Sequence, residues 1–91
     1  IEALACGCPV VTSTGGALPE VIGEAGTYVE ASAPPETWAE AIWPLLADAD
    51  LREAWRRRGL AHAPRYSVEE AARRTLALYD GLLAAPARGL A

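Results

Sequence analysis

The sequence contains no methionine, no phenylalanine and no lysine, and it has only one histidine and two cysteines in 91 residues. Because methionine is missing altogether, Ile1 is not an initiating residue. We therefore expect the chain to be a processed polypeptide or, preferably, a fragment of a longer one. A composition that is 52% hydrophobic and 22% charged is typical of a globular protein. This length allows one small domain at most.

The scarcity of cysteine and histidine argues against a metal site. Cys6 and Cys8 are separated only by Gly7, and His62 lies far from both. This spacing lacks the paired ligands that zinc sites use, so we predict no metal ligand. Two small buried cysteines in a reducing compartment are the expected arrangement, which favours a cytoplasmic location.

The sequence also has no excess of basic residues, because the net charge is −4 and the pI is about 4.8. Nucleic-acid binding needs a basic face, so we predict no nucleic-acid partner. The short run Arg56–Arg58 points in three directions on a helix and is better interpreted as a solvated surface. No stretch reaches the length of a transmembrane helix, although association of the parent protein with a membrane surface stays open.

The first thirty residues predict a strand–helix–strand unit. Residues 1–6 read as the end of a helix, and Gly7 suits the left-handed residue after it. The run from Pro9 to Thr12 predicts a buried strand, and Thr27–Glu30 predicts a second one. A short helix is expected between them, from Pro19 to about Glu24, and thirteen residues suffice for a parallel crossover. Two strands alone do not make a stable sheet, so further strands are expected upstream.

The remaining chain predicts three helices. Apolar residues from Trp38 to Leu46 recur at helical spacing, but Pro44 interrupts them and predicts a kink or a break near residues 42–43. The alternative is a bent helix held by burial of Trp43 and Leu46. Asp48 is predicted to cap the next helix, which should end before Pro64.

The last helix is predicted from a capping box in which Ser67 is the cap and Glu70 lies three residues on. Its single apolar stripe consists of Val68, Ala72, Thr75, Leu76, Tyr79, Leu82 and Leu83. We assign residues 1–83 to the domain and expect 84–91 to be a frayed tail.

Two features of the sequence are candidates for ligand binding. Gly15 and Gly16 follow a predicted strand and precede a predicted helix, at the sheet edge where ligands of open α/β folds bind. The glycines would allow a ligand to approach the backbone closely, but a tight connection without any ligand explains them equally well. Glu2 is a carboxylate in an otherwise apolar helix end. It is either exposed to solvent or an acceptor for two vicinal hydroxyls, as on a ribose.

Four blocks together resemble a known family: EALACGCPVV, GGALPEVIGEAGTYVE, LLADADLREAW and YSVEEAARRTLALY. In this order they are similar to the C-terminal end of GT-B retaining glycosyltransferases of the glycosyltransferase family 4 type, from Ile1 to about Leu83. Pro44 and Pro64 depart from the family pattern. The resemblance implies a fold, namely part of a Rossmann-like α/β domain in which two parallel strands precede a helical C-terminal segment.

The resemblance also implies roles for the candidate residues. Glu2 matches the second glutamate of a family pair and would accept hydrogen bonds from the ribose of a nucleotide-sugar donor. Gly15 and Gly16 match a glycine pair in a loop that faces the cleft. The family's first glutamate lies upstream of this chain, so no catalytic residue is assigned here. Members of this kind usually need no metal or other cofactor.

The implied function is transfer of a sugar from a nucleoside diphosphate donor to an acceptor hydroxyl with retention of configuration. This chain would contribute donor binding and is expected to be inactive alone, because the acceptor would bind to an N-terminal domain that the chain lacks. Two alternatives stay open. One is a helical interaction module that docks a partner through Arg57–Arg58 and Arg73–Arg74. The other is a different GT-B enzyme, such as a sugar-nucleotide epimerase or a phosphorylase.

Overall fold

The computed structural model describes residues 1–85, in which helices alternate with two short strands. In chain order the elements are α1 (Glu2–Ala5), β1 (Val11–Ser13), α2 (Leu18–Ile22), a first 3-10 turn (Gly23–Ala25), β2 (Thr27–Val29), α3 (Pro35–Ala47), α4 (Ala49–His62), a second 3-10 turn (Ala63–Tyr66) and α5 (Val68–Ala84). Helix α5 includes Ala84, and the rest of the predicted frayed tail, from residue 86 onward, lies outside the described residues.

The two strands are parallel neighbours, as the crossover prediction required. Val11 pairs with Thr27, and Ser13 pairs with Val29. Strand β1 begins at Val11, two residues later than predicted, although the Val10 carbonyl still accepts from the N–H of Thr27 at 3.0 Å. The fold class is therefore confirmed: an α/β unit with a parallel strand pair followed by helices, as in part of a Rossmann-like domain.

The turn after α1 depends on one glycine. Gly7 has φ of +80°, a left-handed conformation that side chains with a Cβ rarely adopt. The backbone N–H of Cys8 donates to the Ala3 carbonyl at 2.9 Å across this turn. The predicted burial of Cys6 and Cys8 is wrong, because both are exposed free thiols. Only Leu4 of α1 is buried, so the cysteines that end the helix and follow its turn remain at the surface.

The core lies where α1 packs against α4 and the second 3-10 turn. Leu4 is fully buried, and the cluster around it contains Ile22, Ala25 and Ala63. Helix α4 approaches α1 closely at Gly59, where an added Cβ would lie 2.9 Å from Leu4 Cδ2. A glycine is therefore required for this spacing between the two helices.

Of the kink or break predicted near residues 42–43, the break does not occur, because α3 continues unbroken from Pro35 to Ala47. Pro44 has no N–H to donate to the Glu40 carbonyl, and its own carbonyl accepts from the N–H of Asp48 at 3.0 Å. The suggested cause of a continuous helix is also wrong. Trp43 and Leu46 are about two-thirds exposed, whereas Leu45 is the buried residue of this helix.

Both predicted caps are confirmed. Asp48 Oδ1 accepts from the N–H groups of Asp50 and Leu51 at 3.0 and 3.1 Å. Ser67 Oγ accepts from the N–H of Glu70 at 3.1 Å. The reciprocal half of the capping box does not form. The Ser67 N–H donates to the Pro64 carbonyl, while the Glu70 carboxylate pairs with two arginines further along α5.

Helix α5 has the predicted apolar stripe, but none of its residues is buried. Its large apolar side chains are between 56% and 84% exposed: Val68, Leu76, Leu78, Tyr79, Leu82 and Leu83. The radius of gyration is 18.3 Å, against about 12 Å for a compact domain of this length. Much of this stripe therefore has no packing partner within residues 1–85.

Two helical glycines predict opposite effects of the same substitution. Gly59→Ala should destabilise the fold by about 1–2 kcal/mol, because the new Cβ meets the fully buried Leu4 and the overlap exceeds the gain in helix propensity. Gly81→Ala is the matched control, because nothing lies within 4 Å of a Cβ at that position of α5. It should stabilise the helix by about 1 kcal/mol. Thermal unfolding measures both, and equal effects would contradict the close packing of α1 on α4.

The cluster around Glu70 predicts a pH dependence of α5. Hydrogen bonds from Arg73 and then Arg74 hold the pKa of Glu70 below its ordinary value of 4.5. A carboxyl with a lowered pKa in the folded state contributes stability above its ordinary pKa, and this contribution is lost as the pH falls through the lowered pKa. Glu70→Gln should therefore flatten the acid-side loss of helix stability below about pH 4.5, as measured by amide exchange across α5.

Glu69→Gln is the control for this measurement. Glu69 belongs to the same helical turn, and its carboxylate takes part in none of the ion pairs of residues 1–85. An identical pH profile for the two variants would contradict the role of the Glu70 cluster.

Candidate functional site

The carboxyl ends of β1 and β2 meet at one edge of the strand pair, because the strands are parallel. Thr14 follows β1 directly, and Glu30 follows β2 directly. The Thr14 hydroxyl donates to Glu30 Oε2 at 3.0 Å, which ties the two strand ends together. Both side chains are exposed, so this edge presents polar groups to solvent. In open α/β sheets this is the edge at which ligands bind.

The predicted glycine pair lies at this same edge, between β1 and α2. The Gly15 N–H donates to Ser13 Oγ at 3.3 Å, and the Gly15 carbonyl accepts from the N–H of Leu18 at 3.2 Å. The two positions favour glycine for different reasons. Gly16 has φ of +55° with nothing within 4 Å of a Cβ, whereas a Cβ on Gly15 would lie 3.3 Å from Ser13 Oγ.

This difference bears on the two explanations for the glycine pair. Tight packing does not explain Gly16, because the space beside it is open. Its left-handed backbone does explain it, since a residue with a Cβ is strained there. The loop therefore exposes backbone at the carboxyl edge, with room for a ligand to approach it.

The helix that follows contributes little electrostatically. Helix α2 has five residues, and Ala17 at its N-cap offers no side-chain oxygen to the first N–H groups. A helix this short develops only part of the macrodipole that attracts anions to longer helices. Any anion bound at this edge would therefore be held by loop backbone and side chains rather than by a helix end.

Glu2 is the first residue of α1, and its side chain is exposed. No described hydrogen bond joins it to another side chain or to the Gly15–Gly16 loop. Its position depends on Leu4, which anchors α1 against α4. The role of Glu2 as a ribose acceptor stays a prediction.

Sequence reasoning missed three polar residues of the carboxyl edge: Ser13, Thr14 and Glu30. Ser13 Oγ accepts a hydrogen bond from the Gly15 N–H. The hydrogen bond between Thr14 and Glu30 links the two strand ends. The signal was present, because hydroxyl residues follow the first predicted strand and a carboxylate ends the second. Finding it required the pairing register, which places these strand ends side by side.

Two concave regions lie elsewhere on the described surface. One, of about 540 Å³, is apolar and lies along α3 beside Trp43 and Leu46. The other, of about 800 Å³, lies between the first 3-10 turn and α4 and contains His62 and two arginines. Glu2, Gly15 and Gly16 line neither of them.

Residues 1–85 show neither a metal cluster nor a membrane-spanning helix. No group of three or more histidine, cysteine, aspartate or glutamate side chains there could hold a metal ion. None of the helices in this part of the chain combines the length and apolar character needed to cross a bilayer.

Residues 1–48, which contain both strands and the glycine loop, match the family model described as glycosyl transferases group 1. The chain belongs to this family. Its members similar to this chain include a D-inositol 3-phosphate glycosyltransferase of Corynebacterium urealyticum, 38% identical over 98% of this chain and 21% of the relative. The enzyme of the same name from Segniliparus rotundus is 42% identical over 91% of this chain and 19% of the relative.

A glycosyltransferase of another kind is similar to the same region. The O-antigen chain mannosyltransferase B of Escherichia coli is 38% identical over 87% of this chain and 20% of the relative. The chain thus spans about a fifth of the length of the curated relatives that it matches. No solved structure gives a significant match.

The open, left-handed position of Gly16 predicts how this glycosyltransferase-family loop responds to substitution. Gly16→Ala should destabilise the fold by about 1 kcal/mol, because alanine resists the left-handed region. Gly16→Asn should cost less, because asparagine tolerates that region and meets no neighbour here. Thermal unfolding compares the two variants. A larger cost for asparagine than for alanine would show that side-chain space rather than backbone conformation requires the glycine.

Proposed function

We propose that this chain is part of the donor-binding domain of a retaining glycosyltransferase of the family 4 type. The complete polypeptide would transfer a sugar from a nucleoside diphosphate donor to an acceptor hydroxyl. The observation that carries the proposal is the glycine loop at the carboxyl edge of a parallel strand pair, within the residues that match the family model. The names of the relatives support glycosyl transfer as the reaction class.

The proposed donor site combines two parts of the chain. Exposed backbone of the Gly15–Gly16 loop would approach the donor, because its N–H and carbonyl groups can hydrogen-bond without side chains intervening. The Glu2 carboxylate would accept hydrogen bonds from the two ribose hydroxyls, a contact that the charge on the acceptor strengthens. Glu2 is available for this, since no described group occupies its carboxylate. Neither contact requires a metal ion or another cofactor.

The remainder of the polypeptide would supply what this chain lacks. We assign to it the groups that stabilise the leaving diphosphate and the site that binds the acceptor. We also assign to it the cover for the exposed apolar faces of α3 and α5, because uncovered apolar faces of this kind are typical of interfaces. On this proposal the 91 residues alone have no transferase activity.

The rival interaction module finds less support in the contacts of its arginines. Arg57 is paired with Glu53, and both Arg73 and Arg74 are paired with Glu70. Three of the rival's four arginines are thus engaged within their own helices, although each glutamate is shared by two arginines and Arg58 pairs with no carboxylate in residues 1–85. The names of the relatives likewise favour a transferase over an epimerase or a phosphorylase.

Glu2→Gln in the complete polypeptide tests the donor site. The variant keeps the size of the side chain but loses the charge, so the affinity for a nucleoside diphosphate should fall by roughly tenfold or more. Titration calorimetry with the wild type and the variant measures this. Glu36→Gln is the matched control, because Glu36 is another exposed glutamate in the first turn of a helix.

Gly16→Asn adds a second arm to the experiment. It should preserve the fold yet weaken nucleoside diphosphate binding, because its side chain extends into the open space that the donor would occupy. Unchanged affinity in both Glu2→Gln and Gly16→Asn would contradict the proposed site. Equal losses in Glu2→Gln and Glu36→Gln would show a general effect of charge and would also contradict it.

A further inference from the structure

A second concave region lies at the opposite end of the strands from the glycine loop. It is formed where the first 3-10 turn and Gly26, which lead into β2, face the C-terminal half of α4 and the second 3-10 turn. Its volume of about 800 Å³ is within the range of small-molecule sites. We infer that this region, named here the amino-edge cleft, binds a small organic molecule that carries two phosphate groups.

The arginines of the chain provide the first observation. Seven arginines lie within residues 1–85. Four of them are paired with Glu53 or Glu70, and Arg52 donates to the carbonyls that end α3. The two that remain, Arg58 and Arg65, pair with no carboxylate in this part of the chain, and both line the amino-edge cleft. The cleft thus concentrates unneutralised positive charge on a chain whose net charge is −4.

Each of these two arginines is held in place by a neighbouring ring. The Arg58 guanidinium lies over the Trp55 ring, 4.4 Å from its centroid. Arg65 Nη1 lies 3.3 Å from Nδ1 of His62, and the other ring nitrogen of His62 lies 2.7 Å from the Val21 carbonyl oxygen. His62 is buried and its other ring nitrogen contacts the Val21 carbonyl, so it can position Arg65. Guanidinium groups that are already ordered lose less entropy when they bind a phosphate.

The spacing of the arginines indicates the class of ligand. Arg58 and Arg65 are seven residues apart, on one face of α4 and the 3-10 turn that continues it. A rise of about 1.5 Å per α-helical residue and about 2 Å per 3-10 residue separates their Cα atoms by about 12 Å. Two separate guanidinium groups on one wall of the cleft can each bind one phosphate of a ligand in which a linker joins the two anionic groups. Each guanidinium offers a fork of donors that matches phosphate oxygens.

Glu24 also lines the cleft, and its charge opposes an anionic ligand. Its carboxylate forms no salt bridge with Arg58 or Arg65 among the described pairs. Removing this charge should therefore strengthen the binding of a bisphosphate. A residue with a purely structural role would not produce a change in that direction.

The cleft is independent of the proposed donor site, because the cleft and the glycine loop lie at opposite ends of the strands. Titration calorimetry on the complete polypeptide tests bisphosphate binding, with fructose 1,6-bisphosphate as the probe and fructose 6-phosphate as the comparison. The bisphosphate titration is run without nucleotide, because a nucleoside diphosphate also carries two phosphate groups, and nucleoside diphosphate binding is measured separately. Failure of nucleoside diphosphate binding would then count against the donor site alone, and the bisphosphate titration would still report on the cleft.

The wild type should bind the bisphosphate at least about tenfold more tightly than the monophosphate. Arg58→Gln and Arg65→Gln should each weaken bisphosphate binding by about tenfold, and Glu24→Gln should strengthen it. Arg57→Gln is the matched control, because it makes the same change on the same helix, and Arg57 does not line the cleft. Circular dichroism checks that each variant folds. Arg58→Lys, which keeps the charge but loses the planar stacking on Trp55, should give intermediate affinity.

Three results would overturn the inference. The first is no binding of the bisphosphate by the wild type. The second is equal affinity for the bisphosphate and the monophosphate. The third is an equal loss in Arg57→Gln and in the two cleft variants, which would show a general effect of net charge.

Discussion

The packing of Leu4 against Gly59 is the contact on which the other features of this fold depend. Leu4 is the large side chain that the structure buries completely, and a glycine on α4 allows α1 to approach closely enough to bury it. The same contact fixes α1 against α4 and thus the position from which Glu2 extends. It also brings α4 next to the first 3-10 turn, and this creates the amino-edge cleft. A small core therefore positions polar groups at both ends of the strands.

The two ends of the strand pair differ in their chemistry. At the carboxyl edge, exposed glycine backbone with open space beside Gly16 lies near exposed oxygen-bearing side chains. At the amino edge, two ordered arginines and a buried histidine surround a cleft. The apolar faces of α3 and α5 add a third kind of surface, which is unusual for a domain that is complete in itself. Together with a match to about a fifth of each relative's length, these surfaces agree with a chain that functions inside a larger polypeptide.

Sequence patterns predicted the order of the elements, the parallel pairing, both helix caps and the left-handed Gly7, because each depends on local chemistry or a short periodic pattern. The predictions from sequence failed where a contact between residues distant in the chain determines the structure. The prediction that the cysteines are buried was wrong, because Leu4 is the one residue of α1 that is buried. The break predicted near residues 42–43 is absent, because α3 runs unbroken through Pro44. The bridge between Thr14 and Glu30 and the convergence of Arg58 and Arg65 on one cleft depend on register and helix packing, which no single stretch of sequence encodes.

The central claim is that the carboxyl edge of these strands binds a nucleotide-sugar donor. The most direct measurement is a crystal structure of the complete polypeptide with a bound nucleoside diphosphate. The account predicts that the ligand contacts backbone of the Gly15–Gly16 loop and that its ribose hydroxyls lie within hydrogen-bonding distance of the Glu2 carboxylate. A nucleotide bound at another face, with Glu2 directed into solvent, would contradict the account.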